Sequence, residues 1–430
     1  MRIGLEIHVA LPTKSKLFCL CSTHANEPNT AICPICTGMP GSKPTLNKSA
    51  LEFAVSIAKA LACRIPELTS FVRKVYFYPD LPKSFQITQK DEPIGINGKV
   101  HLGTSEEVRI RRLQLEEDPA KIIRQDDYTL IDFNRSGMPL VEIVTEPDIV
   151  SENELREFMI ELKSILYYLG IDIDRELKVD LNISLSSSRV EVKNVTGMKN
   201  LLDAAKYEIH RQDGLIKSNQ EISQETRSYD EKNMQTISSR EKESDEEYGF
   251  IFEPDLTVYD ISKIKPAPAV YASKIAKEYA KKYGVKEVTL REMILFNNES
   301  LQLIESNKDK YEMKHIINTI ELLLRYSTKK PINPIFEKTI ALVKKDIYPD
   351  KDAILKIESG ENVEIYAASN TKDIDEEIKR LMKENSKLFK EYKKNPKVFN
   401  FIIGAVIKKF KANPKIVSER LEKILTDAQK

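Results

Sequence analysis

Four cysteines fall as Cys19-Leu-Cys21 and Cys33-Pro-Ile-Cys36, two close thiol pairs separated by the length of a knuckle loop. Four thiolates so spaced suit a tetrahedral zinc ion. Because a four-sulfur set leaves no coordination position open, such a metal pins a loop instead of activating water. The competing reading is four ordinary reduced thiols. Cys63, in an apolar helical pattern, reads as core.

A second group is acidic and lies in or beside apolar, strand-like runs: Glu6 and His8, Glu116-Glu117-Asp118, Glu142 and Glu146, and Asp180-Leu-Asn182. Residues two apart in a strand project from one face, so Glu6 with His8, and Asp180 with Asn182, are paired in the geometry that holds a hard cation against phosphate oxygens. Oxygen-rich ligation of that kind suggests magnesium. Glu116 and Glu117 point to opposite faces, so at most one of them serves directly. Taken singly, each carboxylate also reads as part of the solvated face of a half-exposed sheet.

The third signal is Arg73-Lys-Val-Tyr-Phe-Tyr-Pro-Asp-Leu-Pro-Lys83-Ser-Phe-Gln86, where cations alternate with aromatics and two prolines stiffen the path. Lys74 and Lys83 suit a transferring phosphoryl group or a carboxylate, and Tyr76 and Tyr78 suit stacking or hydrogen-bond donation. A surface strand with snorkelling lysines is the ordinary account of the same segment. The sequence contains neither a P-loop nor a G-x-G-x-x-G run, so any nucleotide is expected to be held in a non-Rossmann, metal-centred manner.

These residues need strands to carry them. Val72 to Tyr78, Val108 to Leu115 and Val179 to Leu185 are β-branched and aromatic runs. Apolar spacing of three and four predicts helices at Lys48 to Ala62, Glu152 to Leu169 and Asn200 to Gly214. Strand and helix do not alternate regularly, which predicts an α+β domain with an antiparallel or mixed sheet. A polar stretch from Ser218 to Ser244 and then Lys265-Pro-Ala-Pro-Ala mark a boundary. Beyond it, Tyr271 to Tyr283, Leu290 to Ile304 and Lys314 to Tyr326 read as amphipathic helices, with polar breaks at Asn297 and Asn307. The pattern stays helical after Lys330-Pro-Ile-Asn-Pro. The expected domains are 1–265, 266–330 and 331–430, the last two all-helical.

The 430 residues, 41% hydrophobic and 31% charged, fit a folded multidomain protein. Lys and Arg number 67 against 66 Asp and Glu, so bulk charge indicates no nucleic-acid partner and any basic surface must be local. One exists: Lys387 to Arg420 holds ten Lys or Arg against two Glu. The N-terminus has no signal-peptide pattern and no apolar run approaches a membrane span, which predicts a cytoplasmic protein.

Taken together, Gly4-Leu-Glu-Ile-His8, the cysteine knuckle running into Gly38-Met-Pro-Gly41, Arg73 to Gln86, Leu115-Glu-Glu-Asp118, Asp132 to Asp148, Gln224-Glu-Thr-Arg227 and Glu253-Pro-Asp-Leu256 resemble the GatB family. Phe401-Ile-Ile-Gly404 and Ala412-Asn-Pro-Lys415 extend the resemblance into the tail. It implies a catalytic cradle similar to glutamine synthetase, a helical linker and a tail that grips tRNA. The implied reaction uses ATP to phosphorylate the side-chain carboxylate of Glu or Asp on tRNA(Gln) or tRNA(Asn), and then ammonia to displace the phosphate. The implied partners are an amidase (GatA) and a small third protein (GatC). By this similarity Glu6, His8, Glu117 and Glu142 hold magnesium, and Lys74, Lys83 and Glu117 act on the phosphate or ammonia path. Tyr76, Tyr78, Asp180 and Asn182 lie by the nucleotide, and Lys408, Lys409, Lys411 and Lys415 meet tRNA phosphates.

The sequence departs from the family pattern at Gln114, where many relatives carry His, at Pro119-Ala120-Lys121, and at Tyr248-Gly-Phe250. The related GatE proteins carry an extra insertion for which this length leaves no room. Two rival readings remain: a ligase acting on a free small acid, which leaves the basic tail idle, and a zinc-stabilised RNA-binding module, which leaves Glu6, His8 and Glu142 unexplained.

Overall fold

Apolar residues alternate through β1 (Arg2–Ala10), where Ile3, Leu5, Ile7 and Val9 are buried on one face and Glu6 and His8 stand on the other. In the computed structural model of the chain this strand lies inside an eight-stranded sheet. The structure describes residues 1–103, 106–172, 177–241, 249–345, 347–361, 371–384, 396–410 and 414–427. They form two compact units, Met1–Lys274 and Ile275–Lys430.

In chain order the other strands of the first unit are β2 (Leu68–Thr69), β3 (Val72–Val75), β4 (Phe85–Thr88), β5 (Gly95–His101), β6 (Glu107–Glu117), β7 (Lys121–Arg124), β8 (Thr129–Asp132), β9 (Pro139–Thr145), β10 (Lys178–Ser184), β11 (Val190–Thr196), β12 (Glu225–Asp230), β13 (Gln235–Glu241), β14 (Gly249–Phe252) and β15 (Tyr259–Asp260). The large sheet runs β13-β12-β11-β10-β1-β9-β6-β5. All its pairings are antiparallel except β11 with β12. A three-stranded sheet β14-β3-β4 and the pairs β15-β2 and β7-β8 complete the unit.

One face of the large sheet is dry. Leu113 and Leu115 of β6, Val141 and Ile143 of β9, and Val179, Leu181 and Ile183 of β10 continue the apolar row of β1. Helices α1 (Lys48–Ala60), α2 (Glu152–Tyr168) and α3 (Met198–Lys217) pack on sheet strands and close this core. Burying each large aliphatic side chain contributes roughly 1.5–3 kcal/mol, so the apolar alternation fixes which residues are left on the opposite face. The register does so too, since a slip of one residue would drive Glu6 and His8 into the core.

The second unit is helical: α4 (Ala272–Tyr283, which begins in the first unit), α5 (Glu287–Ile294), α6 (Asn298–Asn307), α7 (Met313–Tyr326), α8 (Asn333–Val343), α9 (Lys351–Ser359), α10 (Thr371–Glu384), α11 (Pro396–Phe410) and α12 (Pro414–Asp427). Helices α10, α11 and α12 share a core of Ile374, Ile378, Ile402, Val406, Val417 and Leu421. The span Leu290 to Ile304 is two helices. Asn297 adopts a non-helical conformation and its side chain accepts from Ser300 N at 2.9 Å, so the polar break caps a new helix. The two compact units divide after Lys274. Ala267 N donates to Ser56 Oγ at 2.9 Å, Tyr271 Oη donates to Ala60 O at 3.0 Å and Ser273 bonds Glu161, so the proline-rich segment is tied down on the first unit.

Helix α2 starts at a reciprocal cap: Glu154 N donates to Ser151 Oγ at 3.1 Å, and Glu154 Oε2 accepts from Val150 N at 3.0 Å. Ser151→Ala should destabilise the first unit by about 1 kcal/mol, and Leu162→Ala, fully buried on the same helix, by about 2–5 kcal/mol. Urea unfolding of the full chain, followed through the transition of this unit, reads both values. Equal effects would contradict the assignment of one residue to a cap and the other to the core.

Candidate functional site

The knuckle loop brings all four thiols together. Each Sγ of Cys19, Cys21, Cys33 and Cys36 lies within 4.8 Å of the others. Cys36 Sγ is 4.0 Å from Cys21 Sγ and 3.9 Å from Cys33 Sγ. A tetrahedron with metal–sulfur bonds of about 2.3 Å has edges of about 3.8 Å, so the donor set fits a metal ion. The hydrogen bond from Cys19 stabilises the Cys36 thiolate and lowers that thiol to about 4, while Cys19 itself is pushed up. Cys63 stands apart in the core.

The face opposite the core is acidic. Strand register sets His8 directly across from Glu142, and Glu142 directly across from Gln114. His8 Nε2 lies 3.3 Å from Glu116 Oε1, and His8, Glu116 and Glu142 each turn a ligand atom toward a common point. Burial works against the charged imidazole of His8, but the hydrogen bond and charge of Glu116, with Glu142 and Asp180 behind it, lift it to about 10. Burial and the neighbouring Glu116 push Glu142 up to about 7. Carboxylates crowded this closely hold protons unless a cation is among them. Gln114 donates from Nε2 to Glu142 Oε2 at 2.6 Å and to Thr88 Oγ1 at 3.3 Å.

A second acidic group adjoins the first on the same face. Glu6 pairs in register with Asp180, and Asn182 with Glu191; Glu6, Asp180 and Glu191 converge within 4.8 Å. Lys193 Nζ bridges Asp180 Oδ2 at 3.1 Å and Glu191 Oε1 at 3.0 Å, and Thr226 Oγ1 lies 3.4 Å from Glu191 Oε2. Asn182 donates from Nδ2 to Glu6 Oε1 at 3.3 Å, while its buried Oδ1 has no partner among the described residues. An oxygen left unsatisfied beside three carboxylates fits a hard cation. Glu191 and Lys193 escaped the sequence reading. They show the same two-residue spacing in a valine run that singled out Glu6 with His8.

Glu117 is separated from His8 and Glu142. It ends β6 on the face opposite Glu116, where its carboxylate accepts from Ile87 N at 2.8 Å and pairs with Lys83. Alternation places Glu116, and not Glu117, beside His8. Lys74 lies close enough to Glu116 to lower its carboxyl electrostatically, behind the larger effects of burial and of His8. The Lys74 ammonium stands 5.9 Å from the centre of the Tyr76 ring. Tyr78 Oη accepts from Arg124 Nη2 at 3.0 Å at the β7–β8 hairpin, and neighbouring Phe77 is exposed.

In the tail, Lys408 is exposed, whereas Lys409 Nζ pairs with Glu377 Oε2 at 2.7 Å. Lys411 and the side chain of Lys415 lie outside the described residues, as does Tyr248.

Among the described residues, no helix is long and apolar enough to cross a membrane. The profile of the GatB/GatE catalytic domain matches residues 1–265. The chain is 35% identical over 477 residues to the B subunit of the aspartyl/glutamyl-tRNA(Asn/Gln) amidotransferase of Sulfolobus acidocaldarius, a match covering 99% of each chain. It is 36% identical over 473 residues to the protein of the same name from Thermotoga petrophila, covering 98% of each. Its identity to the like-named protein from Methanospirillum hungatei is 48% over 268 residues, 59% of this chain and 56% of that one. The chain belongs to the GatB family, and residues 1–265 are its catalytic domain.

Proposed function

We infer that this chain acts as the B subunit of a tRNA-dependent amidotransferase, converting Glu or Asp carried on tRNA(Gln) or tRNA(Asn) into Gln or Asn. The observation that carries the reading is the match over nearly the whole chain to relatives named as that component. The acidic face of the large sheet supplies the chemistry. A carboxylate expels oxide poorly, so its oxygen first attacks the γ-phosphorus of ATP, ADP leaves, and an acyl phosphate forms. Ammonia then attacks the acyl carbon and phosphate departs with the C–O electron pair.

His8, Glu116 and Glu142 would hold one magnesium ion, and Glu6, Asp180, Glu191 and Asn182 a second. Magnesium supplies charge neutralisation at the phosphate oxygens. Lys74, beside Glu116, offers a further positive charge to the same phosphates. Gln114 fixes the orientation of Glu142. Glu117, paired with Lys83 on the other side of β6, suits removal of a proton from the incoming ammonium, which makes ammonia nucleophilic. The exposed rings of Phe77 and Tyr78 offer a stacking surface for the nucleoside or the tRNA end.

The amidase GatA and the small protein GatC complete the enzyme, in the cytoplasm. The α10–α12 cluster serves as the tail that grips tRNA, with Lys408 and, on the sequence pattern, Lys411 and Lys415 meeting phosphates. Lys409 contributes less, its charge being offset by Glu377. The four thiols hold a structural zinc ion.

ATP turnover by the chain bound to its amidase partner tests the reading. Stimulation is expected with Glu-tRNA or Asp-tRNA alone, whereas turnover with free Glu would favour a small-acid ligase. Glu116→Gln should reduce ATP turnover on the order of 100-fold with tRNA binding intact. Glu117→Gln should leave ATP turnover nearly unchanged and lower amidation about 100-fold. Equal loss of both activities in the two variants would contradict the division of labour. Elemental analysis should find one zinc per chain, absent from Cys36→Ser.

A further inference from the structure

Lys16 is fully buried, and its ammonium faces the thiol knuckle from inside the protein. Nζ donates to Phe133 O at 3.0 Å and to Cys36 Sγ at 3.5 Å. A buried ammonium is costly unless an anion meets it. A divalent ion held by four thiolates carries a net double negative charge spread over the sulfurs, and N–H donors from the surroundings are what stabilise such a centre. Lys16 and the knuckle therefore answer each other.

The same knuckle lies close to the Lys83–Glu117 pair. Gly137 takes a positive φ of 84°, and a Cβ there would lie 3.5 Å from Lys16 Cδ, 3.7 Å from Cys36 Cβ and 3.8 Å from Glu117 Oε2. Gly38, two residues after Cys36, also has a positive φ, of 69°, and a Cβ there would lie 2.8 Å from Pro82 O and 2.9 Å from Lys83 Cγ. Backbone bonds lock the corner: Leu17 N to Gly137 O at 2.8 Å, Gly137 N to Asp118 O at 2.9 Å, and Lys16 N to Cys21 O at 2.9 Å. Ser136 Oγ adds a bond to Cys36 O at 3.0 Å. The knuckle thus abuts Lys83 through Gly38, while Lys16, Cys36 and Glu117 meet around Gly137.

We propose that Lys16 is a positioning residue that balances the charge of the metal–thiolate knuckle and thereby holds the knuckle against the Lys83–Glu117 pair, so that metal occupancy sets the geometry of that pair. The proposal rests on the zinc reading above. In the full chain, Lys16→Met should release zinc to a chelator about tenfold faster than the unchanged protein and shift the sulfur-to-metal absorption of the cobalt-substituted knuckle. Lys16→Arg, which keeps a charged donor, should restore most of both. In the complex with the amidase, Lys16→Met should lower kcat for amidation while leaving KM for tRNA and the rate of ATP hydrolysis unchanged. Wild-type release and an unshifted cobalt spectrum in Lys16→Met would overturn the proposal while leaving the zinc reading intact. A chain that binds neither zinc nor cobalt would overturn the zinc reading itself and the proposal with it. Should Lys16→Met fail to fold, amide exchange of the unchanged chain decides the matter. Stripping zinc should speed exchange at Gly137 and Asp118, and unchanged exchange there would overturn the proposal.

Discussion

Mutual repulsion among five carboxylates on one face of a sheet is the constraint from which the rest of this structure follows. Glu6, Glu116, Glu142, Asp180 and Glu191 stand on neighbouring strands, and all but Glu6 are buried. Their negative charge is met in part by His8, Lys193 and Lys74. Crowded anions in a low-dielectric setting are stabilised by cations or protons. The raised Glu142 and His8 are the signs of that pressure. The face is built to gain cations.

Holding such a face open requires stability from elsewhere. The dry side supplies it, with valine, leucine and isoleucine rows from β1, β6, β9 and β10 packed beneath α1, α2 and α3. Antiparallel pairing suits this division, because each strand can turn one side to the core and the other to the site. At the end of β6 the thiol knuckle and the buried Lys16 form a corner tied together by backbone hydrogen bonds, next to the Lys83–Glu117 pair.

Much of this was legible in the sequence, because alternation is local. The pairs Glu6 with His8 and Asp180 with Asn182 were read as one-faced from spacing alone, and the structure sets them on the acidic face in register. Alternation also required Glu116 and Glu117 to diverge, yet which of them joined His8 depended on the pairing of β6 with β9, a contact between strands that no local spacing encodes. Glu191 shares the two-residue spacing with Lys193, but only its position across from Asn182 shows that it joins the acidic face. The split at Asn297 shows an asparagine acting as a cap where periodicity alone ran on. The proline-rich segment stays with the first unit through hydrogen bonds from Ala267 and Tyr271, which a local composition change does not reveal. In the tail, the basic composition was visible, but the pairing of Lys409 with Glu377 was not.

The most direct test of the account is to count manganese bound to the full chain in the presence of a non-hydrolysable ATP analogue, using electron paramagnetic resonance. The account predicts two ions per chain close enough to couple magnetically, one lost in Glu116→Gln and the other in Glu191→Gln, with Glu117→Gln retaining both. A count that Glu117→Gln lowers and Glu116→Gln leaves intact would contradict it.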